Sequence, residues 1–74
     1  MFSQSQIREH MEVVGSDGAH VGTVDHMEGD REVKLTRSDS RDGEHHFVPI
    51  DMIERVDDRV HLKVPAQQAA GQLR

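Results

Sequence analysis

The sequence contains no cysteine, no tryptophan and no tyrosine, and its phenylalanines are Phe2 and Phe47. Without cysteine the chain has no disulfide, no thiolate metal ligand and no cysteine nucleophile, whereas a small secreted domain normally needs such cross-links. With so few aromatic side chains, unpaired bases have little on which to stack. We therefore expect a cytoplasmic protein that is neither a disulfide scaffold nor a binder of single-stranded nucleic acid.

Long apolar runs and an excess of positive charge are also missing. No segment approaches the roughly 18 apolar residues of a membrane span, and the first residues do not combine a basic stretch with an apolar run. The 9 Lys and Arg against 14 Asp and Glu give a formal net charge of -5 with neutral histidine. Because negative charge repels phosphate backbones and anionic lipid headgroups, neither a nucleic acid nor a membrane is expected as a partner.

Apolar residues make up 34% of the 74 residues, which is enough for one small domain with a thin core. We expect a single domain over residues 1–74, with its core over about residues 12–64 and a helical or flexible tail over 65–74. Domains of this size gain stability from any further burial of apolar surface. Self-association would supply such burial.

Short apolar stretches separated by turn-forming residues predict six β-strands. The clearest is residues 60–64, which alternate strictly between apolar and polar side chains before Pro65 ends the strand. The other five are predicted at residues 12–14, 20–28, 32–37, 44–50 and 54–56. Gly22, inside the second strand, indicates a bulge or a close backbone approach. Six short strands separated by turns predict an antiparallel sheet that curls into a small barrel or sandwich, and a barrel is favoured because closure removes exposed edges.

Two short helical segments are predicted outside the strands. Ser5 is a suitable N-cap for a helical turn that places Ile7 and Met11 on one face. Residues 66–70 follow a proline and are helix-prone, so they predict a short C-terminal helix or a frayed tail.

The turn between the second and third strands predicts their register. A two-residue turn at residues 29–30 has glycine at its first position, as a type II′ turn requires. The resulting partners are Glu28 with Arg31, Asp25 with Lys34, His26 with Val33 and Val24 with Leu35. Two of these pairs join opposite charges, which favours this register.

The third and fourth strands are joined by a polar loop at residues 38–43, and their register follows if Arg37 lies opposite Glu44. Val33 then lies opposite Val48, and Phe47 lies opposite Lys34 on the outer side. The predicted inner face carries Val24, Val33, Leu35, Val48 and Ile50.

Several segments resemble the PRC-barrel superfamily. Residues 13–24 (VVGSDGAHVGTV) resemble its opening strand, acidic-glycine turn and Val-Gly-x-Val strand. Residues 46–53 resemble its later apolar-Pro-apolar segment, and residues 60–62 resemble its closing strand. The similarity is greatest to short stand-alone bacterial proteins of unknown function. The resemblance implies a docking or assembly module, often oligomeric, without catalytic residues.

Six histidines in a chain of 74 residues suggest a metal site, since imidazole nitrogens bind zinc, copper and nickel. The adjacent His45 and His46 point to opposite faces of a strand and bind one ion only if a bulge intervenes. We expect no metal and no cofactor. The alternative is a metal or pH sensor, for which the candidates that neighbouring strands would bring together are His20, His26, His45 and His61.

The sequence thus predicts a non-catalytic protein-interaction or assembly module. It would associate with itself, as a homodimer or higher oligomer, or dock to a protein partner. Met27 and Phe47 are the candidate interaction residues, because the predicted register leaves them side by side as exposed apolar groups. Besides the histidine-based sensor, an RNA or ribosome-assembly adaptor is a further alternative, which depends on analogy of fold alone.

Overall fold

The computed structural model describes residues 6–29, 31–38 and 43–73, and these residues form a single six-stranded sheet. The strands are β1 (Glu12–Val14), β2 (His20–Glu28), β3 (Glu32–Leu35), β4 (Phe47–Pro49), β5 (Ile53–Val56) and β6 (Val60–Leu62). A 3-10 turn at Ile50–Met52 joins β4 to β5, and helix α1 (Ala66–Ala70) follows β6. The prediction of a mostly β protein is confirmed, as is the C-terminal helix.

The order of the strands in the sheet is β4-β3-β2-β1-β6-β5. All neighbours are antiparallel except β1 and β6, which are parallel, so the prediction of a purely antiparallel sheet is wrong. Parallel pairing is possible because β1 and β6 lie far apart in the chain and no hairpin dictates their relative direction.

The sheet is open, so the prediction of a closed barrel is also wrong. Its two ends are β4 and β5, and among the described residues no ladder joins them. The two strands follow each other in the chain, but the 3-10 turn between them redirects the backbone without forming a hairpin. In addition, Pro49 of β4 has no N–H to donate to a neighbouring strand.

Both halves of the curled sheet nevertheless pack around one apolar cluster. Its members are Ile7, Val13, Val24, Val33, Leu35, Val48, Ile53, Val56, Val60, Leu62 and Ala69. Of the five side chains predicted for the inner face, four are buried and Ile50 is half-buried. Leu62 is the largest of the fully buried side chains.

The predicted register of β2 with β3 is wrong by one residue near the turn. Glu28 pairs with Glu32 and not with the predicted Arg31. Lys34 pairs with His26 and not with the predicted Asp25. Val24 pairs with Leu35 as predicted, because Asp25 is the extra residue of a bulge. Asp30 of the predicted two-residue turn lies outside the described residues.

Core packing explains this register. Val24 and Met27 lie three positions apart, so regular alternation would place them on opposite faces of the sheet. The bulge at Asp25 brings Met27 opposite the buried Val33, and both apolar side chains face the core. Full burial of a methionine contributes about 1.5–3 kcal/mol and Met27 is half-buried, whereas a surface charge pair contributes about 0.2–1 kcal/mol. The bulged register therefore gains an apolar contact comparable in free energy with the two charge pairs that it gives up.

The predicted register of β3 with β4 is confirmed. Val33 pairs with Val48 and Lys34 with Phe47, and the N–H of Leu35 donates to the carbonyl of His46 at 2.8 Å. The loop that precedes β4 is longer than predicted, since this strand begins at Phe47 and not at residue 44. Residues 39–42 of that loop lie outside the described residues.

The predicted N-terminal helical turn does not extend through residues 7–11. The chain there forms a turn in which His10 has φ 68, a left-handed conformation that ends a right-handed helix. Ile7 and Met11 still pack against the core, as their predicted common face required. Ser5, the predicted N-cap, lies outside the described residues.

Gly22 lies at a close approach between β2 and β3, one of the two predicted alternatives. A Cβ at this position would lie 3.1 Å from Cδ1 of Leu35. The ladder of β1 with β2 also shifts beside it, since Val13 pairs with Gly22 and Val14 with His20. Both predicted reasons for a glycine therefore apply.

The segment from β6 to α1 packs against the turn that follows β1. The N–H of Ser16 donates to the carbonyl of Val64 at 2.8 Å, and the N–H of Ala66 donates to Oδ1 of Asp17 at 3.3 Å. Ala69 of α1 is fully buried in the core. The tail is therefore a docked part of the domain and not a frayed end.

Candidate functional site

The four histidines predicted as possible metal ligands lie apart, each with its own acceptor. His20 donates to Oε2 of Glu12 (2.8 Å), His26 to Oε2 of Glu28 (3.1 Å), His45 to the carbonyl of Leu35 (2.9 Å) and His61 to Oδ1 of Asp57 (2.9 Å). Within residues 6–29, 31–38 and 43–73, no group of three His, Asp or Glu side chains is placed to hold a metal ion. In this structure His20 connects β2 to β1, His45 and His61 each bond to a neighbouring segment, and His26 bonds within its own strand.

Two of the histidines flank Val14 on the outer face of the sheet. Val14 pairs with His20 on one side and with His61 on the other, and it is itself buried. Partners in a register point to the same face, so His20, Val14 and His61 lie side by side on the face opposite the core. This arrangement requires the bulge beside Gly22, which turns His20 outward.

A series of ion pairs connects this outer face to the turn between β5 and β6. Nε of Arg59 lies 2.9 Å from Oε1 of Glu12, so the turn is held against β1. On the other side of the turn, Asp57 accepts from His61 at 2.9 Å and lies 3.4 Å from Nη1 of Arg55. The β5–β6 turn is therefore held to β1 through Arg59 and to β6 through Asp57.

These contacts lower the pKa values of the two carboxylates. The pKa of Glu12 lies below its ordinary value chiefly because His20 donates to it, with Arg59 adding a favourable charge. The pKa of Asp57 lies well below its ordinary range chiefly because the backbone N–H of Arg59 donates to it, and secondly because His61 does. Both carboxylates stay ionised at neutral pH and keep the ion pairs intact.

The two predicted interaction residues lie on opposite faces of the sheet. Phe47 lies opposite Lys34 on the outer face, as predicted, and is half-buried. Met27 pairs with Val33 and packs against the core, so its predicted position on the outer face is wrong. The two side chains do not form a common surface.

The terminal strand β5 presents the open edge of the sheet. Its four residues are buried, exposed, exposed and buried in turn, which departs from the alternation of a regular strand. The cause is a bulge between Ile53 and Arg55, which lets Ile53 and Val56 both face the core. Glu54 and Arg55 are thereby both left exposed at the edge.

Glu54 and Arg55 are not among the predicted site residues. The available signal was the spacing of Ile53 and Val56, two apolar residues three positions apart, although the predicted strand began only at residue 54. Such spacing requires a bulge if both are to reach the core. The ion pair between Arg59 and Glu12 depends on the parallel pairing of β1 with β6 and has no local signal.

Comparison with protein families identifies the chain. A family model described as "Uncharacterized protein conserved in bacteria (DUF2171)" matches residues 7–70. The chain belongs to this family. The match to the DUF2171 model covers all six strands and the whole of α1. A comparison with curated proteins found no match. In the described part of the chain, no helix combines the length and the apolar character needed to cross a membrane.

Proposed function

We propose that the protein is a non-catalytic interaction module that binds another protein chain along the β5 edge of its sheet. The observation that carries the proposal is the open end of the sheet at β5. An edge strand can accept a further strand through main-chain hydrogen bonds, and its side chains then select the partner. An assembly role is also what the resemblance to PRC-barrel proteins implies.

The backbone of β5 supports this mode of binding. The N–H of Asp57 donates to the carbonyl of Arg59 at 3.0 Å, which begins the ladder between β5 and β6. In an antiparallel ladder, successive residues direct their backbone groups alternately to the two sides of the strand. Arg55 then faces β6, and the N–H and C=O of Val56 face the open side, whereas the N–H of Ile53 already donates to the carbonyl of Ile50.

The opposite end of the sheet is less suited to strand addition. β4 has three residues, and Pro49 at its end cannot donate a hydrogen bond. Proline on an edge is a known protection against unwanted pairing. Between the two ends of the sheet, β5 is therefore the better docking strand.

The ion pairs around the β5–β6 turn help this edge to bind. Arg59 and Asp57 fix the turn against β1 and β6, so β5 is held in place before a partner arrives. A preformed binding strand loses less conformational freedom on association than a mobile one.

A photo-crosslinking amino acid placed at position 54, in the native cells, tests the proposal. We expect it to form one defined covalent adduct with a protein chain. The matched control carries the same amino acid at Gln67, which is exposed on α1, and should form none. If position 54 forms no adduct, or if both positions react equally, the proposal is wrong. An adduct with a second copy and an adduct with a different protein both support it.

A further inference from the structure

We infer that the chain that binds the β5 edge is a second copy of this protein, paired β5 to β5 about a twofold axis. This inference depends on the proposed function and adds the identity of the partner. It follows from the order of side chains along β5, from their exposure and from the charges that they leave available.

The order of side chains makes β5 complementary to itself. Its residues are apolar, acidic, basic and apolar: Ile53, Glu54, Arg55 and Val56. When two such strands pair antiparallel with the axis between positions 54 and 55, Glu54 of each copy lies beside Arg55 of the other. Two opposite-charge pairs form at the centre, and Ile53 meets Val56 at both ends.

The bulge in β5 makes both central side chains available for this pairing. In a regular strand Glu54 and Arg55 would point to opposite faces, and one of them would enter the core. Here both are exposed, while Ile53 and Val56 remain 3% and 7% exposed on the inner side. The paired strands would therefore keep their apolar residues on the core side.

The charges along β5 also favour a second copy. In the described part of the chain Glu54 makes no ion pair, whereas Arg55 lies 3.4 Å from Asp57. A guanidinium group carries five N–H donors, so Arg55 can keep Asp57 and bind a second carboxylate. Glu54 of a second copy supplies that carboxylate, and Glu54 itself gains a partner.

Symmetry limits the assembly to a dimer. Pairing of one strand with the same strand of a second copy is isologous, so it uses up both β5 edges and closes. Pairing of β5 with β4 of the next copy would instead be heterologous and would extend into rings or filaments. Pro49 in β4 opposes that arrangement.

Charge reversal at the two central positions tests the inference by sedimentation equilibrium. E54R places two arginines opposite each other at both central pairs, and R55E does the same with two glutamates. We expect each variant to self-associate at least about tenfold more weakly than the wild type, because two attractive pairs become repulsive. The double variant E54R/R55E restores both attractive pairs and should dimerise as the wild type does.

Mixing the two single variants gives the sharpest result. E54R supplies two basic residues and R55E two acidic ones, so an equimolar mixture should form a heterodimer although neither variant forms a homodimer. The matched control is K63E, because Lys63 is exposed just after β6 and lies outside the proposed interface. It should dimerise as the wild type does. Circular dichroism melts confirm that each variant is folded, and E54R disrupts no ion pair within the described residues.

Two results would overturn the inference. One is a wild-type protein that stays monomeric at high micromolar concentration, and the other is a mixture of the two variants that does not associate. If in either case position 54 still crosslinks to a different protein, the interaction module stands and only the second copy is excluded. If position 54 forms no adduct, the proposed function fails as well.

Discussion

Replacing Gly15 with alanine should strongly destabilise the protein, because the backbone of the C-terminal segment occupies the space that a side chain needs. A Cβ on Gly15 would lie 2.2 Å from the backbone nitrogen of Ala66 and 2.8 Å from the carbonyl carbon of Pro65. Gly15 does not have the positive φ found at Gly18. The penalty is therefore steric and does not come from an unfavourable backbone conformation.

The magnitude follows from what has to move. Adding a methyl group to a packed site costs typically about 1–3 kcal/mol, and the upper part of that range applies where the obstruction is backbone and not a flexible side chain. Pro65 and Ala66 can yield only if the start of α1 moves, which weakens the hydrogen bond from Ser16 to Val64 and the burial of Ala69. We expect a loss of about 2–3 kcal/mol, equivalent to a fall in Tm of about 10–20 °C for a domain of this size.

Differential scanning calorimetry of Gly15→Ala against wild type measures this loss. The matched control is Gly71→Ala, because Gly71 has φ -82 and its Cβ would lie 3.7 Å from the carbonyl oxygen of Gln68, an ordinary contact. That variant should gain about 0.4–1 kcal/mol, since alanine restricts the unfolded chain. If the Tm of Gly15→Ala equals that of wild type, the packing of Pro65 and Ala66 on Gly15 is wrong.

The remaining predictions concern acid stability and the core. The pKa values of Glu12, Asp17 and Asp57 are lowered by folding, so the stability they contribute is present above their unfolded pKa values of about 4 and is lost as pH falls through the folded values. Urea unfolding at several pH values below 5 should show that the free energy of unfolding falls with pH. Asp57→Asn should make this fall shallower, and an unchanged dependence on pH would contradict the lowered pKa of Asp57. Leu62→Ala should cost about 2–5 kcal/mol, because Leu62 is fully buried. Lys63→Ala, at an exposed position, should change stability by less than about 0.5 kcal/mol, and equal losses in the two variants would place Leu62 outside the core.

The positions where the sequence-based register succeeds and fails have a common physical origin. Between β3 and β4 regular alternation holds, so the pairing of Val33 with Val48 follows from the apolar pattern alone. Between β2 and β3 two charge pairs indicated a register that the structure does not adopt. A single bulge at Asp25 preserved the predicted pair of Val24 with Leu35 while turning Met27 to the inner face, where it packs against the core.

The candidate site was harder to predict than the core. A strand is predicted at residues 54–56 and the structure begins it one residue earlier, at Ile53, but its position at the end of an open sheet depends on which strands pair with β6. The exposure of Glu54 and Arg55 depends further on a bulge that regular alternation does not include. The histidines were recognisable from composition, whereas their individual acceptors required knowledge of neighbouring strands.

By itself, the sequence determined the six short strands, the boundaries of α1 and the buried side chains of Val24, Val33, Leu35 and Val48. These features depend on turn residues and apolar spacing within a few positions of the chain. Only the tertiary structure decided the parallel pairing of β1 with β6, the open end of the sheet at β5 and the ion pair between Arg59 and Glu12. These features join residues that are distant in the chain, and packing around the shared core selects them because no local interaction can.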